Sequence, residues 1–231
     1  MMRKSFTLLE LVFVVLVIGI LAKVLLTKNP SDHLDRAAYQ IISHIRYTQQ
    51  LALVHDFYSP QDPHWFKRRW RISFNSGEGT NGYWAYTVWA DTAATASGSP
   101  DPQEIAQNPQ NPAKKLTGGF NGNQFIHAGD PEATEELTIG AYYGIKDIKF
   151  SAACRTGTHS KSIGFDHVGR PLRGAIENYT SPYDSAVATN VLIVAQCRIT
   201  LCSVSDCNTA THEEKKTIAV EPETGYAHIV D

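Results

Sequence analysis

The apolar and polar positions of the chain change pattern twice, and the first pattern is a nearly continuous apolar run over residues 6–26. Only Glu10 and Lys23 carry a charge within this run. As a helix, its 21 residues would extend about 31 Å, which is enough to cross the hydrocarbon core of a bilayer. The pattern therefore predicts a transmembrane helix over 6–28.

A second pattern, in which apolar residues recur every three or four positions, follows Pro30. Proline has no backbone N–H and disfavours a helical conformation in the residue before it, so a new helix is expected to begin here. The apolar stripe includes Leu34, Ala38, Ile41, Ile45 and Ala52, and the other side carries Asp35, Arg36, Gln40, His44 and Gln50. This spacing predicts an amphipathic helix within 29–57 that lays its stripe on a sheet and leaves its polar side in solvent. Together, the two segments predict one long, kinked N-terminal helix.

The third pattern, over 58–231, consists of short β-rich runs separated by clusters of Gly, Pro and Asn. Such an arrangement is typical of antiparallel strands joined by turns. The predicted strands are 69–74, 83–90, 136–139, 145–152, 162–166, 191–202, 217–220 and 226–230. The sequence thus predicts an α+β chain, with a long N-terminal helix of a transmembrane half and an amphipathic half, and one β-rich globular domain.

The segment 92–122 interrupts the β-rich region with small and polar residues and four prolines. A stretch of this length without a strand or helix pattern is expected to be an exposed, mobile insertion. It is either a neutral loop or a contact surface for a neighbouring subunit, and the sequence does not favour one over the other.

The net charge of the 231-residue chain is -2, which gives no reason to expect a nucleic-acid partner. The local exception is a basic run that contains Lys67, Arg68, Arg69 and Arg71. We favour a solvated strand edge or loop, because runs of charge are usually exposed. The alternative is a nucleic-acid contact, in which the cations meet phosphates and the neighbouring Trp65 and Trp70 stack on bases.

The chain has four cysteines, Cys154, Cys197, Cys202 and Cys207. Their even number allows two disulfides if the domain lies outside the cytoplasm. Cys197 and Cys202 are five residues apart, so in a strand they would point to opposite faces. Cys202 and Cys207 flank a turn-like Ser-Val-Ser-Asp segment, so we predict the pairs Cys202–Cys207 and Cys154–Cys197. A zinc site is the alternative, although the chain has no Cys-x-x-Cys pair.

No pattern of catalytic residues is present in the sequence. It contains no Gly-x-Ser-x-Gly, no His-Glu-x-x-His and no phosphate-binding loop. It also lacks a dense run of oxygen ligands of the kind that calcium needs. We therefore predict no enzymatic activity, no metal site and no cofactor.

The N-terminal residues, Lys4-Ser5 followed by Phe6-Thr7-Leu8-Leu9-Glu10-Leu11-Val12, resemble the start of type IV pilins and of the pseudopilins of type II secretion. The resemblance implies that a prepilin peptidase removes the leader 1–5 by cleaving between Ser5 and Phe6, and that the new amine of Phe6 becomes methylated. It also implies that Glu10 pairs with the N-terminus of a neighbouring subunit during assembly. A lone carboxylate in a membrane-spanning segment is costly, so a partner of this kind is expected.

Two other interpretations of the N-terminus stay open. The first is an ordinary secretory signal peptide, for which Ala22-Lys23-Val24 is a poor cleavage site. The second is a plain single-span anchor, which fits the hydropathy but gives Glu10 no role.

Three further segments resemble the H-type minor pseudopilins of type II secretion, the GspH/FimT group. These segments are Ile45-Arg46-Tyr47-Thr48-Gln49-Gln50-Leu51-Ala52, Ile163-Gly164-Phe165-Asp166-His167-Val168-Gly169-Arg170 and Ile218-Ala219-Val220-Glu221-Pro222-Glu223-Thr224-Gly225-Tyr226. The resemblance implies a pilin-like fold, in which a long helix packs on two antiparallel β-sheets. It further implies a place in the initiating complex at the tip of a pseudopilus.

The function that these resemblances imply is that of a minor pseudopilin, a non-catalytic subunit that supports protein export. Its expected partners are other pseudopilins or pilins in a filament, the prepilin peptidase, the inner membrane and exported proteins. The expected location is the bacterial inner membrane, crossed once, with the globular domain in the periplasm. The alternative is a minor pilin of a type IV pilus or competence system that assists pilus assembly or DNA uptake. The net charge of -2 argues against DNA as a partner.

Overall fold

One amphipathic helix packs against two antiparallel sheets in this protein, as seen in a computed structural model that describes residues 8–26, 30–93, 97–122, 124–157, 161–183 and 191–230. The helices are α1 (Leu8–Leu26), α2 (Pro30–Val54) and α3 (Ile139–Tyr143). The strands are β1 (Trp70–Ser76), β2 (Trp84–Ala90), β3 (Gln107–Asn108), β4 (Asn111–Lys115), β5 (Asp147–Phe150), β6 (Ser162–Phe165), β7 (Pro171–Arg173), β8 (Cys197–Cys202), β9 (Lys215–Val220) and β10 (Ala227–Val230). The prediction of an α+β chain with antiparallel sheets agrees with this arrangement.

Helix α2 is held in place by the apolar stripe that its sequence predicts. Pro30 opens the helix, where its missing N–H costs nothing, and Asp32 lies in the first turn, where a carboxylate favours the helix dipole. The stripe residues Leu34, Ala37, Ala38, Ile41, Ile42, Ile45 and Ala52 are all buried. They share one core with inward-facing residues of both sheets, so α2 organises the whole domain.

The first sheet has the strand order β2-β1-β6-β7, and all of its pairs are antiparallel. In the β1–β2 hairpin, Ile72 lies opposite Val88 and Phe74 lies opposite Tyr86. These four side chains are buried in the core that α2 covers. Because side chains alternate along a strand, Arg71 and Ser73 belong to the opposite face of this sheet.

The second sheet has the strand order β10-β9-β8-β5 and is also antiparallel. Ile199 pairs with Ile218 in its centre, and both are fully buried in the common core. The disulfide Cys154–Cys197 joins the start of β8 to the turn after β5, and Cys202–Cys207 closes the loop after β8. Both pairs agree with the pairing predicted from the sequence.

The segment 92–122 is not the exposed insertion that its composition predicts. Ile105, Ala106 and Leu116 are buried, and the backbone of this segment bonds the edge of β2. Val88 donates its N–H to Leu116, and Ala106 donates its N–H to Val88. The apolar residues of this segment have no regular spacing, so their burial could not be predicted from the sequence. They are buried because the segment packs along β2, an edge strand of the first sheet.

The prediction of a single long N-terminal helix with a membrane-spanning half was wrong. The described helices at the N-terminus are α1 (Leu8–Leu26) and α2 (Pro30–Val54). Within the part of the chain that the structure describes, no helix is sufficiently long and apolar to cross a membrane. The uncharged stretch between Glu10 and Lys23 has 12 residues, which extend about 18 Å as a helix, against about 30 Å for a bilayer core. The predicted single-pass placement therefore has no support in the described residues.

One predicted strand was also wrong. Residues 136–139 contribute to a 3₁₀ helix (Glu135–Leu137) and to the first turn of α3, where Leu137 and Ile139 are buried. The strand predicted over 191–202 begins only at Cys197, and the short strands β3, β4 and β7 were missed. Strands of two to five residues are too short to show a clear alternation of apolar and polar positions.

Candidate functional site

Helix α1 presents an apolar surface to solvent over residues 8–20. Every side chain from Leu8 to Ile20 is exposed. Eleven of these are large apolar residues: Leu8, Leu9, Leu11, Val12, Phe13, Val14, Val15, Leu16, Val17, Ile18 and Ile20. Because they occur at successive positions, they surround the helix on all sides and do not form a stripe. A helix of this composition is normally buried, so α1 is a surface that other molecules are expected to cover.

Glu10 lies in the first turn of α1 and is exposed. A carboxylate at this position interacts favourably with the positive end of the helix dipole. It is also the only acidic residue of the apolar surface. The predicted cleavage site between Ser5 and Phe6 lies outside the described residues.

The three segments on which the resemblance to H-type pseudopilins rests meet in space at one side chain, Gln49 of α2. Its amide nitrogen donates to the carbonyl of Gly169 at 2.7 Å and to the carbonyl of Thr224 at 2.7 Å. Gly169 follows β6 in the first sheet, and Thr224 lies in the turn between β9 and β10 in the second. Gln49 therefore joins the helix to the turns of both sheets.

Gly225 allows this junction to close. Its φ is +63°, a left-handed conformation that glycine adopts without strain. A Cβ at this position would lie 2.7 Å from Nε2 of Gln49 and 2.8 Å from Cε1 of Phe165. A side chain there would therefore push the turn away from α2.

A second group of polar side chains connects α2 to β2 and α3. Two of its members, Gln40 and His44, were predicted to lie in solvent. Gln40 donates from Nε2 to the hydroxyl of Tyr86 at 2.9 Å and accepts a bond from the hydroxyl of Tyr143 at 2.6 Å. Nδ1 of His44 lies 2.7 Å from the same Tyr86 oxygen. Burial lowers the pKa of His44 to about 4 and raises the pKa of Tyr86 above its ordinary value. The group is thus uncharged at neutral pH. Its hydrogen bonds hold α2 against β2 and α3.

A polar cleft of about 700 Å³ borders this group, between α2 and the segment 108–137. Tyr39, Ser43 and His44 line it from the helix, while Lys114 lines it from β4. The ammonium group of Lys114 is committed to the carbonyl of Ala133 at 2.8 Å. The lining includes Ser43 and His44, but among the described residues no hydrogen bond joins the Ser43 hydroxyl to the imidazole, whose Nδ1 lies against Tyr86.

The basic run is not the solvated strand edge or loop that its composition predicts. Arg69 is 4% exposed and Arg71 is 1% exposed. Arg71 donates from Nη1 to Oε2 of Glu177 at 3.0 Å, and its guanidinium lies 4.4 Å from the ring centroid of Trp89. Burial lowers the pKa of Arg71, and the carboxylate of Glu177 opposes this shift.

The other two cations of the run, Lys67 and Arg68, are half-buried. Nη2 of Arg68 lies 2.9 Å from Oδ2 of Asp62, so its charge is paired within the chain. The predicted nucleic-acid site thus has two of its four cations inside the protein. The sequence did contain one signal of burial. Three aromatic residues, Trp65, Phe66 and Trp70, lie within or next to the basic run.

The zinc site that the sequence left as an alternative does not form among the described residues. Within the described residues, no three His, Cys, Asp or Glu side chains come together as metal ligands. All four cysteines are committed to the two disulfides. The feature that remains as a candidate site is the exposed apolar surface of α1.

Comparison with known proteins adds no identity: no family model, no curated protein and no solved structure matches this chain.

Proposed function

We propose that this chain is a non-catalytic subunit of a pilin-like filament, a minor pseudopilin that supports protein export by type II secretion. The exposed apolar surface of α1 carries the proposal. Apolar helices of neighbouring subunits cover this surface in the assembled filament. Burying its eleven large apolar side chains contributes on the order of 10 kcal/mol per subunit before the entropic cost of association.

The junction at Gln49 supports the same proposal. Three short segments, far apart in the sequence, resemble H-type pseudopilins, and Gln49 bonds the carbonyls of Gly169 and Thr224 from the other two. A chance resemblance in three separate places gives no reason for them to meet. A fold shared with H-type pseudopilins would give such a reason, because these segments would hold the helix against both sheets.

In this proposal, Glu10 sets the register between subunits. The methylated amine of Phe6 on one subunit pairs with the carboxylate of Glu10 on its neighbour within the apolar bundle of helices. An ion pair in an apolar environment is costly to break, because each charge left alone is poorly solvated. The pair therefore selects one alignment of the helices over sliding alternatives.

The proposed location of the globular domain is the periplasm, where disulfides form and persist. Both disulfides of the structure, Cys154–Cys197 and Cys202–Cys207, fit an oxidising compartment. We do not extend the proposal to DNA uptake, because Arg69 and Arg71 of the basic run are buried.

The test is the variant Glu10→Gln, produced as the full chain in its native host. Glutamine keeps the shape of the side chain and removes its charge, so we expect normal cleavage before Phe6 but loss of the subunit from the filament fraction. Mass spectrometry measures the first event and immunoblotting of the purified filament measures the second. Glu213→Gln, which changes an exposed carboxylate of the globular domain, is the matched control. Normal incorporation of Glu10→Gln would refute the role of this carboxylate.

Deletion of the gene tests the function itself. We expect a loss of exported proteins from the medium, with DNA uptake unchanged in the same strain. Complementation with the wild-type gene should restore export, whereas complementation with Glu10→Gln should not. Loss of DNA uptake with normal export would replace the proposed function by that of a minor pilin.

A further inference from the structure

Aromatic and cationic side chains form a continuous row of contacts beside the start of β1. The guanidinium carbon of Arg69 lies 5.2 Å from the ring centroid of Trp65 and 4.8 Å from that of Tyr183. The guanidinium carbon of Arg170 lies 4.9 Å from the same Tyr183 ring. At the other end of the row, the ring of Tyr58 meets that of Trp65 edge-on, with 5.2 Å between the centroids. These contacts join side chains from distant parts of the sequence into one surface.

The aromatic rings of this row are accessible, whereas the cation between two of them is covered. Tyr58 is 61% exposed, Tyr183 is 39% exposed and Trp65 is half-buried. Arg69, by contrast, is 4% exposed. Trp, Tyr and Arg are the residue types that most often contribute large binding energies at protein interfaces. Exposed rings that are already held by contacts within the chain therefore have the properties of a preformed binding surface.

Positive charge exceeds negative charge around these rings. The surface contains four cations, Lys67, Arg68, Arg69 and Arg170. Only the second and the fourth of them pair with a carboxylate, Asp62 at 2.9 Å and Asp166 at 2.8 Å. The other two have no ion-pair partner among the described residues. On a chain whose net charge is -2, this is a local excess of positive charge.

We propose that this aromatic and basic surface, formed by Tyr58, Trp65, Lys67, Arg68, Arg170 and Tyr183, binds an acidic segment of a partner protein. The carboxylates of such a segment supply the negative charge that the surface lacks, and the cations hold them through charge-assisted hydrogen bonds. The apolar atoms of the segment pack against the exposed rings.

The surface fits a short acidic polypeptide better than a nucleic acid. Proteins that bind a nucleic-acid backbone tightly neutralise about 6–10 phosphates. Here Arg69 is covered, and Arg68 and Arg170 each already pair with a carboxylate of the chain. The remaining charge is too small for a track of phosphates but sufficient for a few carboxylates.

This inference goes beyond the proposed function and does not depend on it. Tyr58 and Trp65 follow the C-terminal end of α2, whereas α1 precedes its N-terminal end. Binding to the surface does not require a filament and can be measured on the protein in detergent. Its failure would therefore leave the result of the Glu10→Gln experiment unchanged.

Fluorescence anisotropy of a labelled deca-glutamate peptide, titrated with the full-length protein at low ionic strength, tests the surface. We expect saturable binding to the wild type. Lys67→Glu should weaken the binding about tenfold, because it reverses the charge of a cation that has no ion-pair partner among the described residues. Tyr58→Ser should weaken it about fivefold, because it removes an exposed ring and leaves every charge in place. This second variant keeps the test informative if Lys67→Glu disturbs the fold.

Lys215→Glu is the matched control, because it makes the same change of charge at an exposed position of β9, in the other sheet. It should keep the wild-type affinity for the peptide. Equal losses for Lys67→Glu and Lys215→Glu would reveal a general attraction to positive charge and overturn the proposal. It would also be overturned if the wild type did not bind the peptide, or if Tyr58→Ser bound it as tightly as the wild type. Tighter binding of a single-stranded thymidine oligonucleotide of equal charge would replace the acidic segment by a nucleic acid.

Discussion

Nδ1 of His44 lies 2.7 Å from the hydroxyl oxygen of Tyr86, a fully buried residue of β2. The amide nitrogen of Gln40 can only donate, so Tyr86 accepts from it at 2.9 Å. Burial of this contact keeps the imidazole of His44 neutral at pH 7.

The first prediction follows from this neutral state and concerns stability in acid. Burial lowers the pKa of His44 to about 4, from an ordinary value of 6.5. Above pH 6.5, neither the folded nor the unfolded chain binds this proton, and His44 has no effect on the pH dependence. Below pH 6.5, the unfolded chain binds it first, so the free energy of unfolding falls by about 2–3 kcal/mol as the pH approaches 4.

Denaturant unfolding of the wild type and of His44→Gln between pH 7 and pH 4 measures this contribution. Glutamine can still form a hydrogen bond with Tyr86 and does not titrate, so the variant should lose less stability over this range. His212→Gln, which changes an exposed histidine, should follow the wild type. Parallel curves for the wild type and His44→Gln would show that other groups cause the acid sensitivity.

A second prediction concerns Gln49, whose amide holds the turns of both sheets. Gln49→Ala removes the two bonds to the carbonyls of Gly169 and Thr224. We expect the free energy of unfolding to fall by about 1–3 kcal/mol, since each bond contributes roughly 0.5–1.5 kcal/mol. Gln50→Ala is the control on the same helix, where an exposed glutamine should be replaced at almost no cost. Similar losses for the two variants would contradict the role of the junction.

Periodicity was sufficient to predict the core face of α2 but not the partners of its polar face. Ile41 and Ile45 are buried because they recur on the stripe, and this information is local to the helix. Gln40 and His44 are half-buried because Tyr86 reaches them from a position 46 and 42 residues away. The spacing of residues within a helix cannot reveal contacts with a residue more than 40 positions away in the sequence.

The basic run shows the same limit for charge. The run that contains Arg71 has the composition of an exposed strand edge. However, the guanidinium of Arg71 pairs with Glu177, 106 residues away, and packs on the ring of Trp89. The N-terminal run was correctly predicted to be helical over Leu8–Leu26, but its apolar length suggested a membrane span that no helix of the described residues provides. For the apolar surface of α1, the apolar residues and Glu10 could be identified from the sequence. Their exposure is visible only in the structure.

A third prediction tests the close approach at Gly225. Gly225→Ala places a methyl group 2.7 Å from Nε2 of Gln49 at a φ of +63°. Left-handed strain costs about 1–2 kcal/mol, and the clash adds a further 1–2 kcal/mol, so we expect a loss of about 2–4 kcal/mol in the free energy of unfolding. Gly82→Ala is the matched control, because its φ is +77° and a Cβ there meets nothing within 4 Å. The control should show the strain alone, and an equal loss at both positions would refute the steric argument.

A fourth prediction compares the two disulfides, which cross-link loops of very different length. Cys154 and Cys197 are 43 residues apart, whereas Cys202 and Cys207 are 5 apart. A cross-link restricts the unfolded chain more when its loop is longer, which gives about 4 kcal/mol for the first pair and about 2 kcal/mol for the second. Double replacement of each pair by alanine, followed by denaturant unfolding, measures the two contributions.

The bonds that remain in each double variant favour the same order. The loop after β8 is also held by the N–H of Cys207, which donates to Oδ2 of Asp147 at 3.0 Å and survives the replacement. Cys154 and Cys197 are fully buried in the common core, so their replacement by alanine also leaves a cavity beside α2's core residues. A larger loss for the Cys202–Cys207 variant would mean that the short loop, and not the link between β5 and β8, limits the stability of the second sheet.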